Sequence, residues 1–216
     1  QEVRAVGRCE NGHLRIGVGH SGASEFLFNV LHSFGDRFGK VCLDLVEGTQ
    51  DDHIASIERY ELDVAFALRQ HLWCDFEVEE LWEERVWVIF PKNHPLSSLY
   101  QIRWTDLRAE RVLLSSVLAY CEMHDHFRRR AIELGLQPNV RFCEVNQHSL
   151  LSLVAAGQGV SLVRDSARRL AVPGTVQRPL ADEVLTFCAM WSRRNDNPAL
   201  RRLLSMARSM SKGAPT

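Results

Sequence analysis

Residues 13–38 read HLRIGVGHSGASEFLFNVLHSFGDRF, and their reading decides the fold. Leu14, Ile16 and Val18 alternate with smaller or polar residues, the pattern of an enclosed strand. Phe26, Leu27, Val30, Leu31, Phe34 and Phe38 then recur at helical spacing. Between them, Ser21, Gly22, Ala23 and Ser24 stand where the carboxyl end of a strand meets the amino end of a helix. Such a turn presents unpaired backbone N–H groups and the positive end of the helix dipole, so in open α/β sheets it is a place for ligands. It is equally the place for an ordinary serine N-cap.

Working outward, KVCLDLVEG supplies a second strand directed inward through Val41, Leu43 and Leu45. A helix follows, capped by Thr49, with Asp51 and Asp52 in its first turn and Ile54 and Ile57 inward. Leu62 to Leu68 is a third strand. Three strands separated by helices predict a parallel βαβαβ sheet. The segment FEVEELWEERVWVIFPKNHPL reads as two strand-like runs ending at Pro91 and Pro95. A second α/β cycle then opens with RVLLSS and a helix near 122–134, facing inward through Met123, Phe127, Ala131 and Leu134 and stopped by Gly135. It continues with VRFCEV, the helix HSLLSLVAA and the glycine turn GQGVSLV. TVQRPL and EVLTFCAMWS read as two further runs, and a helix from Pro198 to Met210, inward through Leu200, Leu203, Leu204 and Ala207, ends the pattern.

The 216 residues suffice for one large or two small cores. A net charge of −1 gives the surface no overall attraction to nucleic acid or anionic membrane. Six cysteines without a CxxC pair, several of them in apolar strand patterns, indicate buried thiols in a reducing cytoplasm. No apolar run has the length of a membrane span, and the first residues lack a signal-peptide core. There is no GxSxG, HExxH, phosphate loop or paired carboxylate motif, so no catalytic residue is assigned.

Several segments resemble the effector-binding domain of the LysR-type transcriptional regulators. They are HLRIGVGHS at residues 13–21, YELDVAFAL at 60–68, FPKNHPL at 90–96, the step Trp104-Thr105-Asp106-Leu107, and SLLSLVAAGQGVSLV at 149–163. They occur in the family's order and together span most of the chain. Two positions depart from the family's pattern: Glu61 stands where a glycine usually precedes Leu62-Asp63, and Arg164 where a proline commonly follows the last strand. The resemblance implies an α/β, periplasmic-binding-protein-like (type 2) fold, with two Rossmann-like subdomains joined by crossing segments and a cleft between them. Residues 12–91 and 187–216 would form the first subdomain and 92–186 the second. Residues 1–11 would end a linker helix, and a winged helix-turn-helix would precede Gln1, so that DNA is contacted only through that missing part.

In this family the effector touches the strand–helix turns of both subdomains. Carried over by position, these are Ser21, Gly22 and Thr49, then Ser115, Ser116, Val145, Asn146 and Gln147, with Arg69 after the third strand. Helix amino ends and an arginine favour a small carboxylate or aromatic acid, and Asp51 and Asp52 would oppose it. Each polar position is also read as a helix cap. The resemblance further implies a homodimer through helices near 24–38 and 122–134, with Glu25 and Asp36 facing Arg128, Arg129 and Arg130, and a higher oligomer in the full-length protein. No cofactor is expected. A metal at Cys121, His124 and His126 is disfavoured because His126 leaves the helical face shared by the other two. Two alternatives are an extracytoplasmic solute receptor of the same fold and a thiol sensor using Cys121 and Cys143.

Overall fold

The computed structural model describes residues 12–19, 24–69, 75–117, 121–170 and 172–211. Eight strands are defined among them: β1 (Gly12–Gly19), β2 (Val41–Gly48), β3 (Val64–Leu68), β4 (Phe76–Pro91), β5 (Arg111–Ser115), β6 (Asn139–Cys143), β7 (Ser161–Arg164) and β8 (Thr175–Ser192). The α-helices are α1 (Glu25–Arg37), α2 (Gln50–Glu58), α3 (Cys121–Glu133), α4 (Gln147–Ala155) and α5 (Pro198–Ser211). Hydrogen-bonded strand order is β2-β1-β3-β8-β4-β7, with β5-β6 as a separate pair. The chain divides into two compact units, residues 1–83 with 186–216 and residues 84–185. Both divisions fall inside a long strand, β4 or β8.

In unit one, β1 pairs in parallel with β2 and β3, as the βαβαβ pattern predicts, and β3 pairs antiparallel with β8. One core gathers Leu14, Ile16 and Val18 of β1, Leu27, Val30 and Phe34 of α1, and Leu200, Leu203, Leu204 and Ala207 of α5. The helical periodicity of both helices therefore marks their buried faces. Asp63 anchors the second half of this arrangement. Its carboxylate accepts from the Arg15 backbone N–H (2.9 Å) and from the side-chain amides of Asn195 (3.2 Å) and Asn197 (2.9 Å). Asn197 in turn accepts from the N–H of Ala199 at the start of α5. The Leu-Asp step thus joins β1, β3 and the last helix. Leu45 departs from expectation: it is 52% exposed, because β2 is the edge strand and its outer half has no covering layer.

In unit two, β5 and β6 pair in parallel, and a parallel bridge between Val112 and Val160 places β7 alongside β5. β7 pairs antiparallel with β4. Ile89, Leu113, Leu150, Leu151, Val154 and Val163 form the core beneath α4. The step at Trp104 is the short 3-10 helix Trp104–Ala109. Gly135, at φ +63°, ends α3 as the sequence predicts, and the N–H of Leu136 reaches back to the carbonyl of Ala131 (2.8 Å). Phe127 and Ala131 are buried, whereas Leu134 lies past the last turn and is exposed.

The paired runs expected at 76–91 and 175–192 are each one continuous strand. In β4 the buried positions pass from Leu81 to Glu84, Val86 and Val88, a change of parity at the point where the strand leaves one unit for the other. That change breaks the two-residue periodicity without breaking the strand. In β8 the interruption is Asp182, at φ +54°, a left-handed residue within an otherwise extended run.

Candidate functional site

The parallel strands of unit one end together at Gly19, Gly48 and Leu68, so Thr49 and Arg69 stand along one edge of the sheet. Ser21 and Gly22, expected at the same edge, lie outside the described residues. Thr49 N-caps α2 in a full capping box. Its hydroxyl accepts from the Asp52 N–H (3.2 Å) and donates to the Asp52 carboxylate (2.5 Å), which also accepts the Thr49 N–H (3.0 Å). The hydroxyl is therefore engaged within its own turn, and Asp51 and Asp52 supply negative charge where the helix dipole is positive. Arg69 forms an ion pair with Glu80 on β4. Among the described residues, unit one thus offers this edge little net positive charge beyond the helix end itself.

Two residues of this edge were not marked by the sequence reading. His53 is buried, and its Nε2 lies 3.0 Å from the carbonyl oxygen of Val18. The imidazole is seated against Gly17 and Gly48. A Cβ at Gly17 would lie 2.8 Å from His53 Nδ1, and one at Gly48 would lie 2.9 Å from Cε1. Those two glycines were the available signal. Gln50, directly after the cap, is buried with neither amide atom hydrogen-bonded.

In unit two the expected residues are brought together. Ser115 ends β5 in register with Cys143, which ends β6. Its buried hydroxyl donates to the Val145 carbonyl (2.7 Å), and the Ser116 N–H donates to the Cys143 carbonyl (3.0 Å). Asn146 N-caps α4, its side-chain oxygen accepting from the Ser149 N–H (3.0 Å). Gln147 opens the helix, and no acidic residue occupies its first turn. Arg164 ends β7 at the same edge, since β7 runs parallel to β5. The Ser116 hydroxyl, the side-chain amides of Asn146 and Gln147, and an uncompensated helix amino end are the donor set for a carboxylate or a polyol.

These paired strand–helix turns on two α/β units are matched by a family model described as LysR substrate binding domain, over residues 8–212. The chain belongs to that family. The LysR substrate-binding domain has the periplasmic-binding-protein-like type 2 fold. A curated relative, the HTH-type transcriptional regulator TtuA of Agrobacterium vitis, is 27% identical over 200 residues. The alignment covers 89% of this chain and 66% of TtuA, so the chain spans about two thirds of that regulator. Among solved LysR structures, the effector-binding domain of BenM with benzoate superposes at a TM-score of 0.82, with 20% identity, covering 94% of this chain and 93% of BenM's. The effector-binding domain of QuiR in complex with shikimate gives 0.81 with 15% identity, covering 95% and 100%. At these identities the likeness is one of fold.

The remaining candidates take plain structural places. His126 and Arg130 of α3 both turn onto Glu183, so Arg130 is not part of an outward basic surface; Arg128 is exposed. Cys143 is buried in the unit-two core. Cys188 is buried in unit one, where loss of solvation pushes its thiol up to about 12, far from the thiolate that redox chemistry requires. The side chain of Cys121 lies outside the described residues. Among the described residues, no helix is long and apolar enough to cross a membrane.

Proposed function

We propose that this chain is the effector-sensing part of a LysR-type transcriptional regulator and that it takes up a small organic carboxylate. The observation that carries the reading is the unit-two turn. There α4 presents its amino end without a neutralising acid, beside Ser115, Ser116, Asn146 and Gln147. In unit one, Asp51 and Asp52 offset the α2 dipole and Glu80 takes Arg69. The carboxylate of the effector is therefore assigned to the unit-two turn. Binding would reach transcription through a helix-turn-helix portion, of the kind the name of TtuA records.

Thermal unfolding with benzoate, shikimate and aliphatic mono- and dicarboxylates tests this. A ligand at a hundredfold excess over its Kd adds about 2.7 kcal/mol, a shift of about 5–11 °C for a chain of this size. Ser116→Asp sets a carboxylate at the exposed edge of the turn and is expected to abolish the shift while leaving the unliganded melting temperature unchanged. A panel in which no carboxylate stabilises the wild type contradicts the assignment.

We also propose that two copies pair through α1 and α3. α1 leaves Phe28 outward, 60% exposed, and the neighbouring edge strand leaves Leu45 and Val46 uncovered. α3 and β6 leave Ile132 and Phe142 outward beside a groove of about 260 Å³ floored by Phe127, Ala131 and Val140. Exposed apolar groups of this size in two patches are the mark of association. Glu25 and Asp36 on one helix and Arg128 and Arg129 on the other add complementary charge. Sedimentation is expected to show a dimer for the wild type and a monomer for both Phe28→Glu and Ile132→Glu. A dimer that survives both substitutions rules this pairing out.

A further inference from the structure

At the opposite edge of the unit-one sheet from the strand–helix turns, three side chains with different metal-binding chemistry converge. His13 is the second residue of β1 and is paired in register with Cys42 on β2. Asp44 follows Cys42 by two residues on the same strand and so stands on the same face. The His13 Nε2 lies 2.8 Å from Asp44 Oδ2, and the Cys42 Sγ lies 3.9 Å from Asp44 Oδ1. The potential ligand atoms all lie within 4.8 Å of one another.

A tetrahedral zinc site with bonds of about 2.0–2.3 Å has edges of about 3.3–3.6 Å between its donor atoms. The separations here bracket that range, so small side-chain rotations bring nitrogen, sulfur and oxygen onto one ion. Among the described residues nothing encloses the position: His13 and Asp44 are each about half exposed, at 48% and 45%, and Cys42 is exposed. Solvent therefore has access to a fourth coordination place. The neighbouring guanidinium has a partner of its own. Arg15, the residue opposite Asp44, directs one guanidinium nitrogen at the Glu61 carbonyl (3.4 Å). A surface His–Asp pair needs no thiol, whereas imidazole, thiolate and carboxylate together are a donor set for a borderline-soft divalent ion.

We propose that His13, Cys42 and Asp44 form a binding site for a thiophilic divalent transition-metal ion, with Zn²⁺ as its natural probe. The metal binds through His13 Nε2, the Cys42 sulfur and an Asp44 oxygen, and water completes the shell. On binding, the Cys42 thiol gives up its proton to solvent, and so does His13 when it is protonated; no electron is transferred. The ion ties the amino ends of β1 and β2 together, which stabilises unit one independently of the effector turn.

Cobalt titration of the whole 216-residue chain, reduced with a phosphine, reads this site directly. One equivalent of Co²⁺ is expected to give a thiolate-to-metal charge-transfer band that Zn²⁺ then displaces. Cys42→Ser removes the band. His13→Asn and Asp44→Asn weaken binding by about tenfold or more, the scale on which even outer partners of a metal site act. A chain with Cys9, Cys74 and Cys121 all changed to serine keeps the band. Zn²⁺ also raises the melting temperature of the wild type but not of Cys42→Ser. Absence of the band, or its survival in Cys42→Ser, overturns the proposal.

Discussion

Glu183→Ala is expected to destabilise unit two by about 3–5 kcal/mol, the loss typical when one partner of a buried ionic cluster is removed. The carboxylate is almost wholly buried at 3% side-chain exposure. It accepts from the indole N–H of Trp104 (2.7 Å) and from Arg130 Nε (3.0 Å), and lies 2.7 Å from His126 Nε2. One acid thus joins β8, the 3-10 helix at Trp104 and α3. Alanine leaves an indole donor, a half-buried guanidinium and an imidazole facing a void that none of them can satisfy. Glu183→Gln keeps the shape and an acceptor for Trp104 but loses the charge, and is expected to cost about 1–3 kcal/mol. The two variants therefore separate the cavity from the charge. Urea unfolding followed by the tryptophan signal reads both.

The same residue gives a pH dependence of determined sign. Burial alone raises the pKa of Glu183, but donors from His126, Trp104 and Arg130 outweigh it, and the folded value lies below the ordinary one. A lowered folded pKa means that the unfolded state binds protons first. The stabilisation is complete above the unfolded value of about 4.3 and is lost as pH falls through the folded value. The stability gap between wild type and Glu183→Gln is accordingly expected to be level above about pH 5 and to close in stronger acid. A gap that persists unchanged into strong acid shows that shape, not charge, holds the cluster.

Little of that cluster could be read from the chain. Its members lie far apart in sequence, and His126 was visible only as a poor metal ligand and Arg130 as one of three adjacent arginines. What could be read was local. The apolar spacing of α1 and α5 marks their buried faces, Thr49 and Asn146 cap the helices assigned to them, and Gly135 ends α3. Such features depend on neighbours a few residues away, which the sequence displays directly. Those that depend on pairing were hidden: the continuous run of β4 across the unit boundary, the exposure of edge residue Leu45, and the neutralisation of Arg69 by Glu80. The candidate site divides in the same way. The turns are local and were legible, but the difference in charge between the α2 and α4 turns emerges only when partners are known.

Gly159→Ala is expected to be as damaging as the loss of Glu183, although glycine has no side chain of its own to lose. In the segment AAGQGVSLV, Gly157 and Gly159 look alike as turn residues, and both have positive φ, +76° and +153°. Their surroundings differ. A Cβ at Gly157 meets nothing within 4 Å, so alanine there bears only the left-handed backbone penalty of about 1–2 kcal/mol. A Cβ at Gly159 would lie 2.4 Å from the carbonyl oxygen of Arg111 and 3.1 Å from Leu113 Cγ. That carbonyl accepts the Val160 N–H (2.9 Å), and the Val160 carbonyl accepts the Leu113 N–H (2.7 Å). The backbone therefore cannot retreat without breaking the bonds that hold β7 against β5. Strained dihedrals and lost backbone pairing act together at one position, for an expected cost of about 3–5 kcal/mol. Ser161, whose buried hydroxyl donates to the Leu113 carbonyl (2.9 Å), would be displaced as well. Because β5 ends at Ser115 and β7 at Arg164, any folded remainder of Gly159→Ala is expected to lose carboxylate binding. Gly157→Ala keeps it, and comparing the two by urea unfolding and ligand-induced thermal shift separates close backbone approach from turn conformation. Equal costs for the two substitutions would show that the approach of β7 to β5 does not constrain this glycine.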